Sequence, residues 1–302
     1  MPSAPSSRTA DKLEAPTVNE EMPNIEEWVG KSREQRERIE TAITAGMSAA
    51  LDRDDPAPRD GDPLPPCWHW MFFRDSTEQS KLGTDGLPER GALMPPVPLP
   101  RRMWAASRIR FDAPLRLGEV AVKRSEIESI TPKSGKSGQL VFVNLRHTVL
   151  NSSDEVAIEE EQNIVYTEAP EPGAAPPPPR PAPGKAVWQC ELRPDPVLLF
   201  RYSALTFNPH RIHYDQPYVT QQEGYPGLVV HGPLIATLMV DLCRRSRPDG
   251  EVKEFSFRAL APLFVDHSMM LGAAPAEEGP GTAVWAANDK AELASQGEVT
   301  FA

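Results

Sequence analysis

The residues best suited to acid-base chemistry in this 302-residue chain stand together in LTFNPHRIHYDQPY, Leu205 to Tyr218. His210 and His213 lie three positions apart, Asn208 precedes a proline, and Asp215 follows. An imidazole, with an ordinary pKa of about 6.5, can take up and return a proton near neutral pH. The Asn208 amide can orient water or a substrate, but it cannot act as an acid or base there. Three readings are open: metal ligands, acid and base of a reaction, or polar residues of a turn. A metal would draw on Asp215 or His231 as further ligands. The sequence has no HExxH, no cysteine pair and no defined third-ligand spacing, so no metal is expected. His213 is the expected proton carrier, its ring fixed by Asp215 or by a backbone carbonyl. His210 is divided between active-site neighbour and structural turn residue.

A second stretch, GYPGLVVHGPLIA, Gly224 to Ala236, combines glycines with a helix start at Gly232-Pro233. Free amides at a helix N-terminus can hold developing negative charge. On a thioester, adding water at the β carbon or removing an α proton moves charge onto the carbonyl oxygen, where the Gly232 amide would meet it. The alternative is an ordinary helix start, with His231 as a capping or positioning residue. Arg101, Arg102 and Arg108 in PRRMWAASRIRF could contact phosphate or carboxylate groups, or simply form solvated strand ends. In CWHWMFF, His69 belongs to an aromatic packing cluster or to the wall of an acyl pocket. TPKSGKSGQL has Ile130 where a phosphate-binding loop needs its first glycine, and no Gly-x-Ser-x-Gly elbow supports an esterase.

These residues need elements to position them. Ile39, Ile43, Met47 and Leu51, four apart, predict an amphipathic helix over Ser32 to Leu51. Trp68 to Phe73 reads as a strand or packed turn. Strands are expected over Met103–Phe111, Val120–Ile130, Leu140–Leu150 and Val156–Tyr166, antiparallel because no substantial helix separates them. After Trp188–Leu192 comes a short helix within Asp195–Thr206, then a helix from Gly232 to about Arg245. Pro233 suits a first turn, and Leu234, Leu238 and Leu242 make an apolar row. Val252–Leu260, Leu263–Leu271, Thr282–Ala287 and Glu292–Phe301 should form the sheet that this helix covers. The order implies an α+β protein of two similar halves, each a long helix wrapped by an antiparallel sheet.

Composition sets the frame. With 39% hydrophobic residues the chain can build substantial cores, and its net charge of -11 argues against general binding to nucleic acid or to an anionic membrane. No apolar run reaches spanning length and the first residues lack a hydrophobic leader, so a cytoplasmic protein is expected. Cys67, Cys190 and Cys243 are too scattered for a disulfide framework. Residues 168–185, EAPEPGAAPPPPRPAPGK, read as a proline-rich linker, with a surface insertion as the alternative. The expected organisation is a flexible tail over 1–23, one domain over 24–167, the linker, and a second domain over 186–302.

Together, YSALTFNPHRIHYD and YPGLVVHGPLIATLMVDL resemble the MaoC-like hydratase and dehydratase family. The resemblance is nearest its double-hotdog branch of hydroxyacyl-thioester dehydratase type 2 and mesaconyl-C4-CoA (3-methylfumaryl-CoA) hydratases. It is strongest from Phe200 to Leu242. It implies a double hotdog fold and reversible hydration of an enoyl thioester, with no cofactor and an acyl-CoA as partner. A general dehydratase of unbranched CoA or carrier-protein thioesters, or a non-catalytic acyl-thioester binder, are the alternatives. A homodimer is compatible with the resemblance. In the family an aspartate and a histidine five residues later do the chemistry, beside a glycine of the central helix. That spacing falls on Asn208, His213 and Gly232, so the acid is replaced by its amide. His210, Asp215 and His231 are then supporting candidates, and the amino-terminal domain shapes the acyl pocket.

Overall fold

The computed structural model describes residues 24–135, 138–169 and 178–302; the tail expected over 1–23 and residues 170–177 of the expected linker lie outside it. Among the described residues, ten strands form one antiparallel sheet. In chain order they are β1 (Ser32–Arg38), β2 (Arg101–Phe111), β3 (Val120–Gly135), β4 (Gly138–Leu150), β5 (Val156–Thr167), β6 (Trp188–Leu192), β7 (Val252–Ala259), β8 (Met269–Pro275), β9 (Thr282–Asn288) and β10 (Leu293–Phe301). Their spatial order is β1-β3-β4-β5-β2-β7-β10-β9-β8-β6, so β2 and β7 pair at the centre and join the two halves into one surface.

The helices are α1 (Thr41–Ala50), α2 (Pro196–Thr206), α3 (Gln216–Gln221) and α4 (Gly232–Ser246). α4 starts with a proline in its first turn, where the missing amide costs nothing, and buries every residue from Leu234 to Cys243. Asp241 on this helix is also buried, where it accepts from Arg53 and, at 2.7 Å, from Arg245 Nε. Arg53 follows α1, so this pair fastens the amino-terminal half to the helix of the other. α1 lies against α2, and a Cβ on Gly46 would come within 2.8 Å of Leu205 Cδ2. The Leu205 side chain packs into the space that the absent β-carbon leaves.

Two expectations are corrected. The helix predicted over Ser32–Leu51 is a strand followed by the ten-residue α1. SREQRER alternates exposed and half-buried positions, a two-residue period that suits the edge of a sheet, whereas the apolar row at four-residue spacing begins only at Ile39. The strand expected over Leu263–Leu271 begins at Met269, because Asp266 takes a left-handed conformation (φ 63°) that breaks an extended run. Most other predicted elements lie within a residue or two of their expected ends.

β2 carries a bulge. Trp104 stands opposite Ile164 and Ala106 opposite Asn163, so Ala105 is an extra residue. Strand residues alternate faces, yet Arg102 pairs with buried Tyr166 while Ser107 and Ile109, of opposite parity, are buried as well. The bulge resets the alternation and brings Arg102 and Trp104 to the inner face.

The inner face of the amino-terminal half holds a polar band between two apolar clusters. Glu160 accepts from Ser107 Oγ at 2.8 Å and Trp70 Nε1 at 3.0 Å, and sits 3.2 Å from His69 Nε2. His147 bonds Ser125 and Gln162. Burial would raise the Glu160 carboxyl, but the His69 hydrogen bond and the Lys123 charge outweigh it and hold the group at about 2. His69 therefore sits in the wall of the structure within a hydrogen-bonded packing cluster.

Candidate active site

α2 ends where Phe207 adopts a left-handed conformation (φ 52°) and turns the chain out of the helix. Asn208 follows, and its Oδ1 accepts from the His210 amide at 3.0 Å, an Asx turn that sets the course of the histidine stretch. The amide oxygen is thus spent on structure. Among the described residues the Nδ2 donates no hydrogen bond, and this is the end left to meet a ligand.

His213 ends a short 3-10 turn, Arg211–His213, and its side chain is buried. Its Nδ1 lies 2.7 Å from the carbonyl oxygen of Val229. A carbonyl only accepts, so Nδ1 carries the proton, and in the neutral ring Nε2 presents a lone pair. Burial, with some repulsion from His210, lowers the His213 pKa to about 3. The ring is therefore a neutral base at physiological pH.

Three imidazoles share this space. His213 stacks on His231 with centroids 3.6 Å apart and planes at 19°, and His210 meets His213 edge-on at 5.4 Å. His231 is fully buried, precedes α4, and bonds Ser203 Oγ of α2 through Nε2 at 2.8 Å. Burial pushes His210 to about 4 with help from the Arg102 charge, and pushes His231 well down. Protonating one ring opposes protonation of the others, so the cluster holds its members neutral together.

Gly232 opens α4 beside this stack. His231 makes no side-chain cap on the helix, and the Gly232 amide donates to no backbone carbonyl among the described residues. A Cβ built there meets nothing within 4 Å. The helix therefore begins on open space with an unspent donor, backed by the positive end of a 15-residue dipole. A base nitrogen, an amide and a helix N-terminus are the parts needed to add water across a double bond conjugated to a carbonyl.

Other expected residues sort differently. Asp215 does not orient His213: it caps α3 by accepting from the Tyr218 amide at 3.1 Å, and it pairs with Arg211 at 2.8 Å. The backbone carbonyl of Val229 takes the orienting role instead. Arg101 is committed to Glu223, donating to its backbone and lying 3.4 Å from its carboxylate. Arg108 lies on the outer surface, 3.3 Å from Glu254, and is apart from the histidines. Its parity with Ala106 and Arg110, beyond the bulge, puts it on the solvent face.

Arg102 is the arginine that faces inward. Nothing in PRRMWAASRIRF sets it apart from its neighbours, and the loop Gly83–Leu87 was not among the expected site elements. That loop crosses from the amino-terminal half to the histidine turn: Asp85 O accepts from the Arg211 amide at 2.9 Å, and Thr84 O from Arg211 Nη1 at 2.8 Å. A Cβ on Gly86 (φ 86°) would come within 2.2 Å of Pro209 O. The Asp-Gly pair, a turn dipeptide, was the one available signal.

Comparison with known proteins gives this geometry its relatives. The family model for hydroxyacyl-thioester dehydratase type 2 matches residues 67–265. A mesaconyl-C(4)-CoA hydratase of Chloroflexus aurantiacus is 48% identical over 242 residues, covering 78% of this chain and 84% of that protein. A mitochondrial hydroxyacyl-thioester dehydratase type 2 of Schizosaccharomyces pombe is 32% identical over 234 residues, 69% of this chain and 77% of that one. Among solved structures, a Mycobacterium tuberculosis protein described as having a double hotdog fold superposes with a TM-score of 0.58 at 15% identity, covering 90% of this chain and 96% of its own. The architecture is thus the double hotdog, α+β with helices wrapped by an antiparallel sheet. With about two thirds of its length matched by the family model and 48% identity to a relative over 242 aligned residues, the chain belongs to the hydroxyacyl-thioester dehydratase type 2 family.

Proposed function

We propose that this protein is a hydro-lyase that reversibly hydrates a short enoyl-CoA thioester, with mesaconyl-C4-CoA as its substrate. The observation that carries the reading is His213, whose Nδ1 is pinned to Val229 O so that Nε2 is the free lone pair, on a ring stacked against His231, the residue that precedes the unspent amide of Gly232. In the hydration direction water lies between His213 Nε2 and the Asn208 amide. Nε2 takes a proton as the oxygen bonds to the β carbon, and the displaced electron pair moves through the α carbon onto the thioester oxygen. The Gly232 amide and the α4 dipole hold that charge. The proton on Nε2 then goes to the α carbon, the carbonyl re-forms, and His213 is neutral again. One imidazole serves both transfers, as it must where an amide replaces the family's second acid.

The carboxyl-terminal half, over 186–302, carries the chemistry in this reading, and the half over 24–167 shapes the acyl pocket. The substrate choice rests on the 48% identical relative, which is a mesaconyl-C(4)-CoA hydratase. We further propose a cytoplasmic protein able to pair as a homodimer, to be checked by cell fractionation and light scattering. The deciding assay incubates the enzyme in isotopically labelled water with mesaconyl-C4-CoA and unbranched enoyl thioesters, read by mass spectrometry. A hydroxyacyl product with the thioester intact, formed fastest from mesaconyl-C4-CoA, is expected; faster turnover of unbranched chains favours the general dehydratase. H213Q should lower kcat by about 10²- to 10⁴-fold with substrate binding largely kept. Release of free thiol, or no product with any thioester, rejects the hydratase.

A further inference from the structure

The inner face of β2 carries a positive charge that the protein itself leaves unanswered. Arg102 is half-buried opposite Tyr166, and among the described residues it makes no ion pair. Its neighbours on the strand behave differently: Arg101 is held by Glu223, Arg108 by Glu254, and Arg110 by Asp112 and Glu159. Beside it, Arg90 spreads its guanidinium over the Tyr166 ring at 5.2 Å and spends its donors on the carbonyls of Val97 and Pro100. It too has no carboxylate partner among the described residues. Asp85, whose charge reaches Arg90, turns its carboxylate to the Leu87 amide of its own loop.

Two guanidinium groups thus flank one buried ring without a carboxylate between them, an arrangement that costs desolvation unless a ligand anion completes it. The place matters as much as the charge. The loop that carries Asp85 hydrogen-bonds the backbone of Arg211, next to His210, and the His210 ring touches His213. Burial lowers the Arg90 pKa and Arg102 adds repulsion, while the same Arg102 charge opposes protonation of His210. The uncompensated charge is therefore felt at His210, the ring that meets His213 edge-on.

We propose that Arg102, with Arg90 behind it, forms an anion subsite that receives the free carboxylate of a dicarboxylate-derived acyl thioester. This rests on the hydratase reading and adds to it a residue that selects the substrate. A carboxylate on the carbon that takes the hydroxyl lies next to the reacting atoms, and Arg102, on the inner face opposite Tyr166, is near enough to His210 for its charge to act on that ring. The phosphates of coenzyme A, the other anions of such a substrate, lie at the far end of the pantetheine arm. A planar guanidinium can grip a carboxylate with two parallel hydrogen bonds, which fixes the β carbon against His213 as well as paying for binding.

The test compares R102Q and R102K with the wild type on three thioesters. Mesaconyl-C4-CoA has both the carboxylate and the phosphates, crotonyl-CoA has only the phosphates, and the mesaconyl thioester of N-acetylcysteamine has only the carboxylate. R102Q should lower kcat/KM by about 100-fold on the two mesaconyl thioesters and by less than about 3-fold on crotonyl-CoA. Equal loss on all three, or loss on the two coenzyme A substrates alone, overturns the proposal, the latter assigning Arg102 to phosphate. Should R102Q fail to fold, R102K decides: a fall of about tenfold or more in the mesaconyl-to-crotonyl ratio supports the subsite, and an unchanged ratio overturns it. If the wild type hydrates none of the three, the hydratase reading is what fails. The subsite is then judged by calorimetric Kd values for an unreactive mesaconyl thioether of pantetheine, and equal values for wild type and R102Q overturn it.

Discussion

At the scale of single residues, Asn208 sets the chemistry by what it cannot do. Its Oδ1 holds the His210 amide, so N208D preserves the turn while replacing the free Nδ2 donor with a second carboxylate oxygen. A negative charge beside the stack favours imidazolium, which raises the pKa values of His213 and His210 from about 3 and about 4. The acidic limb of kcat/KM is expected below about pH 5 in the wild type and nearer pH 6 in N208D. A wild-type limb at the ordinary histidine value, or one that N208D leaves in place, would remove the neutral-stack account. His213, Asn208 and Gly232 could be named as candidates from sequence because their types offer a proton carrier, a water-orienting amide and a helix-start donor. The Val229 carbonyl and the Ser203 hydroxyl could not, since any residue supplies a carbonyl and serines are common. Asp215 misled for the same reason: adjacency in sequence placed it beside the histidines, but capping α3 and pairing with Arg211 use its oxygens first.

At the scale of elements, the start of α4 separates folding from function. Gly232 has no positive φ to protect and no neighbour within 4 Å of a Cβ. Alanine there is compatible with the helix and even favours it. G232A should leave Tm unchanged or slightly higher while its methyl group enters the space that the thioester carbonyl must reach, lowering kcat/KM by about tenfold or more. A variant that loses stability and activity in proportion would mean that the glycine serves packing instead. α4 itself was plain from Pro233 and the leucine row. The amino-terminal helix was overextended because a strand of alternating charges has no apolar face, and nothing local marks where it ends.

At the scale of the whole molecule, one sheet carries two polar interiors, and both are tuned to keep histidines neutral. Burial holds His213 and His147 at about 3. An unfolded histidine titrates at about 6.5, so below that pH the unfolded chain binds protons that the folded chain refuses. Stability is therefore full above about pH 6.5 and falls as the pH drops toward the folded values. Each such group costs roughly 2 kcal/mol by pH 5, so Tm should fall steeply between pH 7 and pH 5, and H147Q should make the fall shallower. A flat Tm profile across that range would contradict the burial of these rings. The halves and their strands were readable from alternation and turn residues. Their union through β2 and β7 was not, because pairing between distant strands leaves no mark in either one.

The bulge at Ala105 gives strand length a meaning apart from composition. Removing that one residue would leave every arginine of PRRMWAASRIRF in place, yet it would carry Arg102 from the inner face to solvent. Relatives that share the arginine but differ by one residue in this strand would present different surfaces to the same acyl chain. An insertion or deletion there is thus a change of specificity written without any substitution, and alignments scored on residue identity alone would pass over it.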